Sequence, residues 1–253
     1  MSKSPAQIAR DLRKLLKDGG SATHSAGVQQ FFKEKVQSHG WYTKALRSEA
    51  KRERKSIVEE SSIEVLLEVA DELFRGPMLE EKAFAVFLLE NSVAGFDDRE
   101  FRRFELWLDR IHSWADHDAL LHYLIGPMLA ANPKYSKRVF RWAKSRNRWH
   151  RRAAAVAFIR GTRQRRYLPE ITRLCNQLLQ DEDDMVQKGL GWLLRETAKA
   201  DPKRTIPLLM HIRNRAPSLV LRTACETLPP KERARILGAK SPRTGLPHRT
   251  SGR

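Results

Sequence analysis

The 253-residue chain has only two cysteines, Cys175 and Cys225. Two cannot build a disulfide framework or, by themselves, a structural zinc site. Long apolar runs are also missing, since no stretch reaches the roughly 18 uncharged apolar residues of a bilayer-spanning helix. The opening MSKSPAQIARDLRKLLKDGG has no apolar signal core. These absences lead to the expectation of a reducing, intracellular compartment without a membrane span. Strand-length alternation of β-branched and polar residues does not occur, and neither does a glycine-rich phosphate loop. The eight histidines are scattered, and His117 and His122, five apart, do not share a helical face. The expectation is therefore no metal and no cofactor. Both cysteines lie among apolar residues of helical pattern and read as core rather than as nucleophiles.

What the chain has in abundance is positive charge. It carries 48 Lys and Arg against 30 Asp and Glu, a formal net charge of +18, and its pI is near 10.3. An acidic partner is favoured. With 41% hydrophobic and 31% charged residues, the composition is that of a folded, charge-rich globular protein, long enough to bury a sizeable core. The charge is segregated: Lys134 to Arg173 holds fourteen basic residues and one acid, Glu170, whereas Glu49 to Asp109 holds sixteen acids and nine bases. Such segregation suggests a polyanion-binding face; the alternative is that the basic run only solvates helix surfaces. The stretch from Ala239 (AKSPRTGLPHRTSGR) has no periodicity, so the expected organisation is one repeat domain over 1–237 and a basic, disordered tail over 238–253.

Ile63, Leu66, Leu67, Ala70, Leu73 and Phe74 recur at spacings of three and four, as do Phe101, Phe104, Trp107, Leu108 and Ile111. Both stretches predict amphipathic helices. Breaks at Arg75-Gly76-Pro77, Ala131-Asn132-Pro133, Ala200-Asp201-Pro202 and Ala216-Pro217-Ser218 punctuate an all-helical chain. Five segments then align on one polar residue followed by small and apolar ones, with key positions Lys82, Asp118, Arg152, Lys188 and Arg222. Their spacings are 36, 34, 36 and 34, close to one helical hairpin. That pattern predicts an all-α, HEAT-like α-solenoid whose second helices line a concave face. The five residues are expected as a column along one groove, although Lys82 and Arg222, at the ends, could equally cap or solvate helices.

Trp114 and Asp118 are four apart, as are Lys188 and Trp192, so each pair shares a helical face. Basic groups beside aromatic faces suit nucleic acid. Trp149, three before Arg152, reads as core. A lone carboxylate in a positive groove repels phosphate and calls for a catalytic or charge-balancing reason. The alternative is a salt bridge from Asp118 to Arg152 on the next repeat, without chemistry.

Three blocks carry a family resemblance: Trp114-Ala-Asp-His-Asp118 with Gly126 twelve residues after the tryptophan, Trp142-Ala-Lys-Ser-Arg-Asn147-Arg-Trp149-His-Arg-Arg152, and Lys188-Gly-Leu-Gly-Trp192-Leu-Leu-Arg195-Glu-Thr-Ala-Lys199. Over about Phe31 to Leu228 the chain resembles the AlkD family of bacterial alkylpurine DNA glycosylases. The resemblance implies a HEAT-like solenoid holding duplex DNA on its concave face. It also implies monofunctional hydrolysis of the N-glycosidic bond of N3- or N7-alkylated purines, without strand cleavage and with the lesion left largely in the helix. Asp118 matches the family's catalytic aspartate, Trp114 and Trp192 its groove tryptophans, and Arg152 its DNA-backbone arginine. Lys188, Arg148, Arg151, Arg195 and Phe31 are expected to contact DNA as well. The chain departs from the family in having Phe31 where relatives have a tyrosine, Trp41-Tyr42-Thr43-Lys44 where proline often follows the threonine, and Ala115 where a polar residue is frequent.

The expected partner is thus duplex DNA containing alkylated bases, bound by a monomer, and the expected location is the cytoplasm in association with the nucleoid. A non-catalytic HEAT-like protein that binds DNA structure is the second reading. A scaffold for acidic proteins, or an RNA-associated factor, would explain the charge but not the pairing of tryptophan with Asp118.

Overall fold

The computed structural model describes residues 3–238, which contain no strand; one isolated bridge joins Gln37 to Met78. The tail expected from 238 onward lies, from Ala239, outside the described residues. In chain order the helices are α1 (Pro5–Asp18), α2 (Ala22–Val28), α3 (Thr43–Glu60), α4 (Ile63–Phe74), α5 (Leu79–Leu89), α6 (Asp98–Trp107), α7 (Trp114–Leu120) and α8 (Gly126–Ala131). They continue as α9 (Ser136–Trp142), α10 (Arg148–Val156), α11 (Ile159–Thr162), α12 (Leu168–Leu178), α13 (Asp184–Ala200), α14 (Pro202–Ile212), α15 (Ser218–Ala224) and α16 (Pro230–Leu237). A single π-helical stretch, Leu121–Ile125, joins α7 to α8.

Local sequence explains the boundaries. Ser4 with Gln7, Asp97 with Glu100, and Ser113 with Asp116 form capping boxes on α1, α6 and α7, satisfying amides that a helix start leaves without intrahelical partners. α4, α8 and α13 stop at Phe74, Ala131 and Ala200, just ahead of the proline-bearing breaks, because proline removes a donor and pushes the preceding residue out of helical conformation. The periodic stretch Phe101 to Ile111 is not one α-helix. α6 ends at Trp107, a 3-10 turn spans Leu108–Arg110, and Ile111 buries itself from the link that follows.

The five aligned segments fall on α5, α7, α10, α13 and α15, and these helices pack on one another in that order. They form the inner layer of the solenoid. α4, α9 and α12 each pack on the inner helix that follows them in sequence. Phe74, Phe84, Phe101, Phe104, Trp107 and Phe158, all at 0% exposure, fill the space between helices, with Phe74 stacked on Trp107 at 4.1 Å and Phe101 on Tyr135 at 4.0 Å. Burying an aromatic or large aliphatic side chain contributes about 1.5–3 kcal/mol each. Cys175 and Cys225 are fully buried, and burial pushes the Cys175 thiol up to about 12.

One member of the predicted column is elsewhere. Lys82 is buried, and its Nζ donates to the carbonyls of Phe74 at 2.9 Å and Arg110 at 2.7 Å and lies 4.6 Å from the Phe74 ring. It caps the C-terminal end of α4 instead of facing a groove. The repeat spacing does not distinguish this inward placement from an outward one. Arg222, at the other end, is exposed.

Candidate active site

The capping box of Ser113 and Asp116 sets where α7 begins. Asp116 accepts from the amides of His112 and Ser113, both at 2.8 Å, and from the Ser113 hydroxyl. With the helix started at Trp114, the four-residue spacing brings Trp114 and Asp118 to one face, and both line a cleft of about 510 Å³. Trp192, from α13, lines the same cleft. The remaining tryptophans have structural duties. Trp107 and Trp142 are buried with their indole N–H groups on Asp71 and Glu105, Trp149 is buried, and Trp41, at the cleft wall, donates to the carbonyl of Leu16 at 2.7 Å.

Asp118 does not stand alone. Arg152 donates to its carboxylate three times, Nη2 to Oδ2 at 2.8 Å and to Oδ1 at 3.0 Å, and Nε to Oδ1 at 3.2 Å. The remaining Arg152 nitrogen, Nη1, donates to the carbonyl of Met185 at 2.7 Å. The guanidinium therefore ties together α7, α10 and the start of α13. Gly189 makes room for it, since a Cβ there would lie 3.0 Å from Arg152 Cγ. On the other side, His117 Nδ1 lies 2.7 Å from Asp118 Oδ1. Exposure is 6% for the Arg152 side chain and 23% for that of Asp118, so the acid, and not the arginine, opens onto the cleft. Burial pushes the Asp118 carboxyl up, but the His117 hydrogen bond and the Arg152 charge outweigh it and hold the carboxyl below its ordinary value. Asp118 is charged at neutral pH. His117 is fully buried, and burial holds its pKa down against the opposing pull of Asp118; the imidazole is neutral.

The N-terminal segment closes one side. Glu80 accepts from the Ser38 hydroxyl at 2.6 Å and from the amides of His39, Gly40 and Trp41 at 2.8 to 3.2 Å, fixing a turn in which Gly40 has φ +85°, a conformation that favours glycine. From this turn the chain runs back to Phe32, whose ring stacks on Trp114 at 4.9 Å and 14°. Phe32 is a cleft wall. Phe31, the residue singled out by its alignment, is 67% exposed, and it is its carbonyl that meets Trp114, accepting from Nε1 at 3.3 Å. Tyr42 is exposed and stacks on His24 at 4.1 Å. Ala115 lines the cleft.

The expected DNA-contacting cations mostly lie in ion pairs. Arg148 meets Asp183 at 3.0 Å and Glu34 at 3.4 Å, Arg151 meets Asp181 at 2.6 Å, Lys188 meets Asp184 at 3.3 Å, and Arg195 meets Glu196 at 3.3 Å and also Glu226. Lys33 reaches Asp184 at 2.6 Å, so residues 31–34 bridge from α7 to the starts of α10 and α13. Other cations flank the cleft. His122 is a cleft residue whose pKa is lowered by burial first and then by Arg160, Arg163 and Arg47. Arg47 lies 4.8 Å from the Tyr123 ring and pairs with Glu90. Arg160 and Arg163 are exposed and have no acidic partner among the described residues.

Sequence reasoning therefore brought Asp118, Trp114, Trp192 and Arg152 together and missed His117, Phe32 and Glu80. In the sequence His117 figures only as a candidate metal ligand, and its adjacency to Asp118 is the available signal. No signal singled out Glu80, whose partners lie about forty residues earlier.

A stack of helical hairpins whose inner layer brings Asp118, Trp114 and Trp192 to one cleft defines a helical solenoid protein with a candidate acidic site. Residues 12–228 match the family described as DNA alkylation repair enzyme, and the chain belongs to that family. No curated protein matches the chain. One similar solved structure is a predicted DNA alkylation repair enzyme from Enterococcus faecalis, 18% identical, covering 83% of this chain and 96% of that one with a TM-score of 0.74. That likeness is one of fold. Among the described residues no cluster of His, Cys, Asp and Glu could hold a metal, and no helix is long and apolar enough to cross a membrane.

Proposed function

We propose that the protein is a monofunctional DNA glycosylase that hydrolyses the N-glycosidic bond of N3- or N7-alkylated purines in duplex DNA, opening base excision repair. The observation that carries this reading is a carboxylate kept charged and partly open to a cleft walled by Trp114 and Trp192. Alkylation makes the purine cationic, so it leaves without a general acid. As the C1′–N bond breaks, its electron pair stays with the purine nitrogen and neutralises the base, while positive charge develops on the sugar. Asp118 stabilises that charge and orients the water whose oxygen bonds to C1′ and whose proton passes to solvent. The tryptophan faces attract the cationic ring. Arg160, Arg163 and Arg47 supply phosphate contacts beside the cleft, and Arg148, Arg151, Lys188 and Arg195 join them by exchanging their carboxylate partners for phosphate. Arg152, with its donors committed, acts through Asp118. One chain supplies every group, so a monomer suffices.

The Arg152–Asp118 pair also gives the acid a structural reason to exist, and this favours a second reading, a non-catalytic binder of DNA structure. Single-turnover release of methylated purines from dimethyl-sulfate-treated duplex separates the two. Release by the wild type and none by Asp118→Asn is the expected result. Tight duplex binding with no release by either protein would establish the binder.

A further inference from the structure

The hydrogen bonds around Asp118 are distributed unequally over its two oxygens. Oδ1 accepts from His117 Nδ1 at 2.7 Å and from Arg152 Nη2 and Nε at 3.0 and 3.2 Å, whereas Oδ2 accepts from Arg152 Nη2 alone, at 2.8 Å. A carboxylate oxygen has about two lone-pair sites. Oδ1 is saturated, and Oδ2 has capacity left. The histidine's tautomer follows from the same distances. Arg152 Nε also approaches His117 Nδ1, at 3.3 Å, but a lone pair on Nδ1 would then face a carboxylate oxygen at 2.7 Å, and the closer, charged contact decides: the neutral ring carries its proton on Nδ1 and donates it to Asp118, with Arg152 Nε directed to Oδ1. His117 Nε2 is then an acceptor, buried and without a hydrogen-bond partner. A buried polar atom left unsatisfied is costly, and a plain hydrophobic residue at 117 would avoid that cost. The ring is also confined, with its centroid 5.6 Å from that of Trp149 and 0% of the side chain exposed.

We propose that His117 is a positioning residue for the glycosylase reaction: its Nδ1–H occupies Oδ1 and turns Asp118 so that Oδ2 is the oxygen presented to the reacting sugar and its water. Arg152 biases the carboxylate the same way, through Nη2 and Nε on Oδ1, but its Nη2 also holds Oδ2; His117 is the donor that meets Oδ1 and leaves Oδ2 untouched. This inference rests on the glycosylase reading, and its test has one arm that does not. His117→Val removes the N–H and retains an apolar filler, while His117→Asn places an amide N–H close to the Nδ1 position.

In His117→Val, single-turnover excision is expected to fall by about tenfold to a hundredfold, the scale of a misoriented catalytic group, with duplex affinity within about twofold of wild type. His117→Asn is expected to recover most of the rate. In the second arm, ¹³C NMR titration of the Asp118 carboxyl is expected to show its pKa higher in His117→Val than in wild type and lowered again in His117→Asn, since the lost bond favours the charged form. Equal loss of rate in both variants, or an unmoved Asp118 titration, would overturn the proposal. If His117→Val does not fold, the comparison of wild type with His117→Asn and His117→Gln decides it, because the glutamine amide is one bond too far out and must fail where asparagine succeeds. Absence of excision by wild type with the Asp118 titration shifting as stated would remove the glycosylase reading and leave the hydrogen-bond assignment standing.

Discussion

Replacing Arg152 by alanine should be the most damaging single change near the cleft, through stability before chemistry. The side chain is 6% exposed and joins three successive inner helices, with two nitrogens on Asp118 and one on the carbonyl of Met185. Its removal leaves a carboxylate with His117 as its one remaining partner and a backbone carbonyl without its donor. Breaking a buried ion pair from one side costs about 3–5 kcal/mol. Because Asp118 retains 23% exposure, water can reach it, and the lower end, about 3 kcal/mol, is the expected loss. For a domain of this size that corresponds to a fall in Tm of roughly 6–12 °C. The loss should depend on pH. Asp118 in the folded protein titrates below its ordinary 3.8, so its contribution to stability is fully present above that value and disappears as pH falls through the folded pKa. The Arg152→Ala deficit is therefore largest near neutrality and shrinks below about pH 4, where the stranded carboxyl takes up a proton. Urea unfolding at pH 7 and pH 3.5 measures both effects. Adding Asp118→Asn to Arg152→Ala should relieve part of the loss. A deficit under about 1 kcal/mol, or a double variant whose losses add within about 0.5 kcal/mol, would refute this account of the pair.

Two further outcomes test the surface and the packing. Arg160→Gln combined with Arg163→Gln should weaken duplex binding uniformly across sequences and reduce the slope of log K against log salt by up to about 1.8, the release expected for two phosphate contacts; an unchanged slope would place the DNA elsewhere. A Cβ on Gly191 would lie 2.7 Å from Thr223 Cβ and 3.0 Å from the Val220 carbonyl, so Gly191→Ala should force α15 away from α13 and cost about 1–3 kcal/mol. A melting temperature equal to that of wild type would show that the interface yields freely.

The sequence by itself determined the layer structure. The repeat of key positions at 36, 34, 36 and 34 residues marked which helices line the inner face, because each hairpin must bury its apolar side against the next and a nearly constant repeat length keeps equivalent helices in register. The four-residue spacings placed Trp114 with Asp118, since a helix returns to the same face after that interval. What the repeat could not show was the direction of each polar side chain. Lys82 and Arg152 occupy equivalent positions, yet one caps a neighbouring helix from within the core and the other binds an acid at the cleft. Which carbonyl or carboxylate lies within reach is decided by the packing of neighbouring repeats. Glu80 and Phe32 likewise owe their places to an N-terminal turn folded back over α5 and α7, a contact between segments far apart in sequence. Tertiary structure alone set the asymmetry of the Asp118 oxygens, because hydrogen bonds to one atom and not its twin depend on distances of tenths of an ångström that no residue pattern encodes.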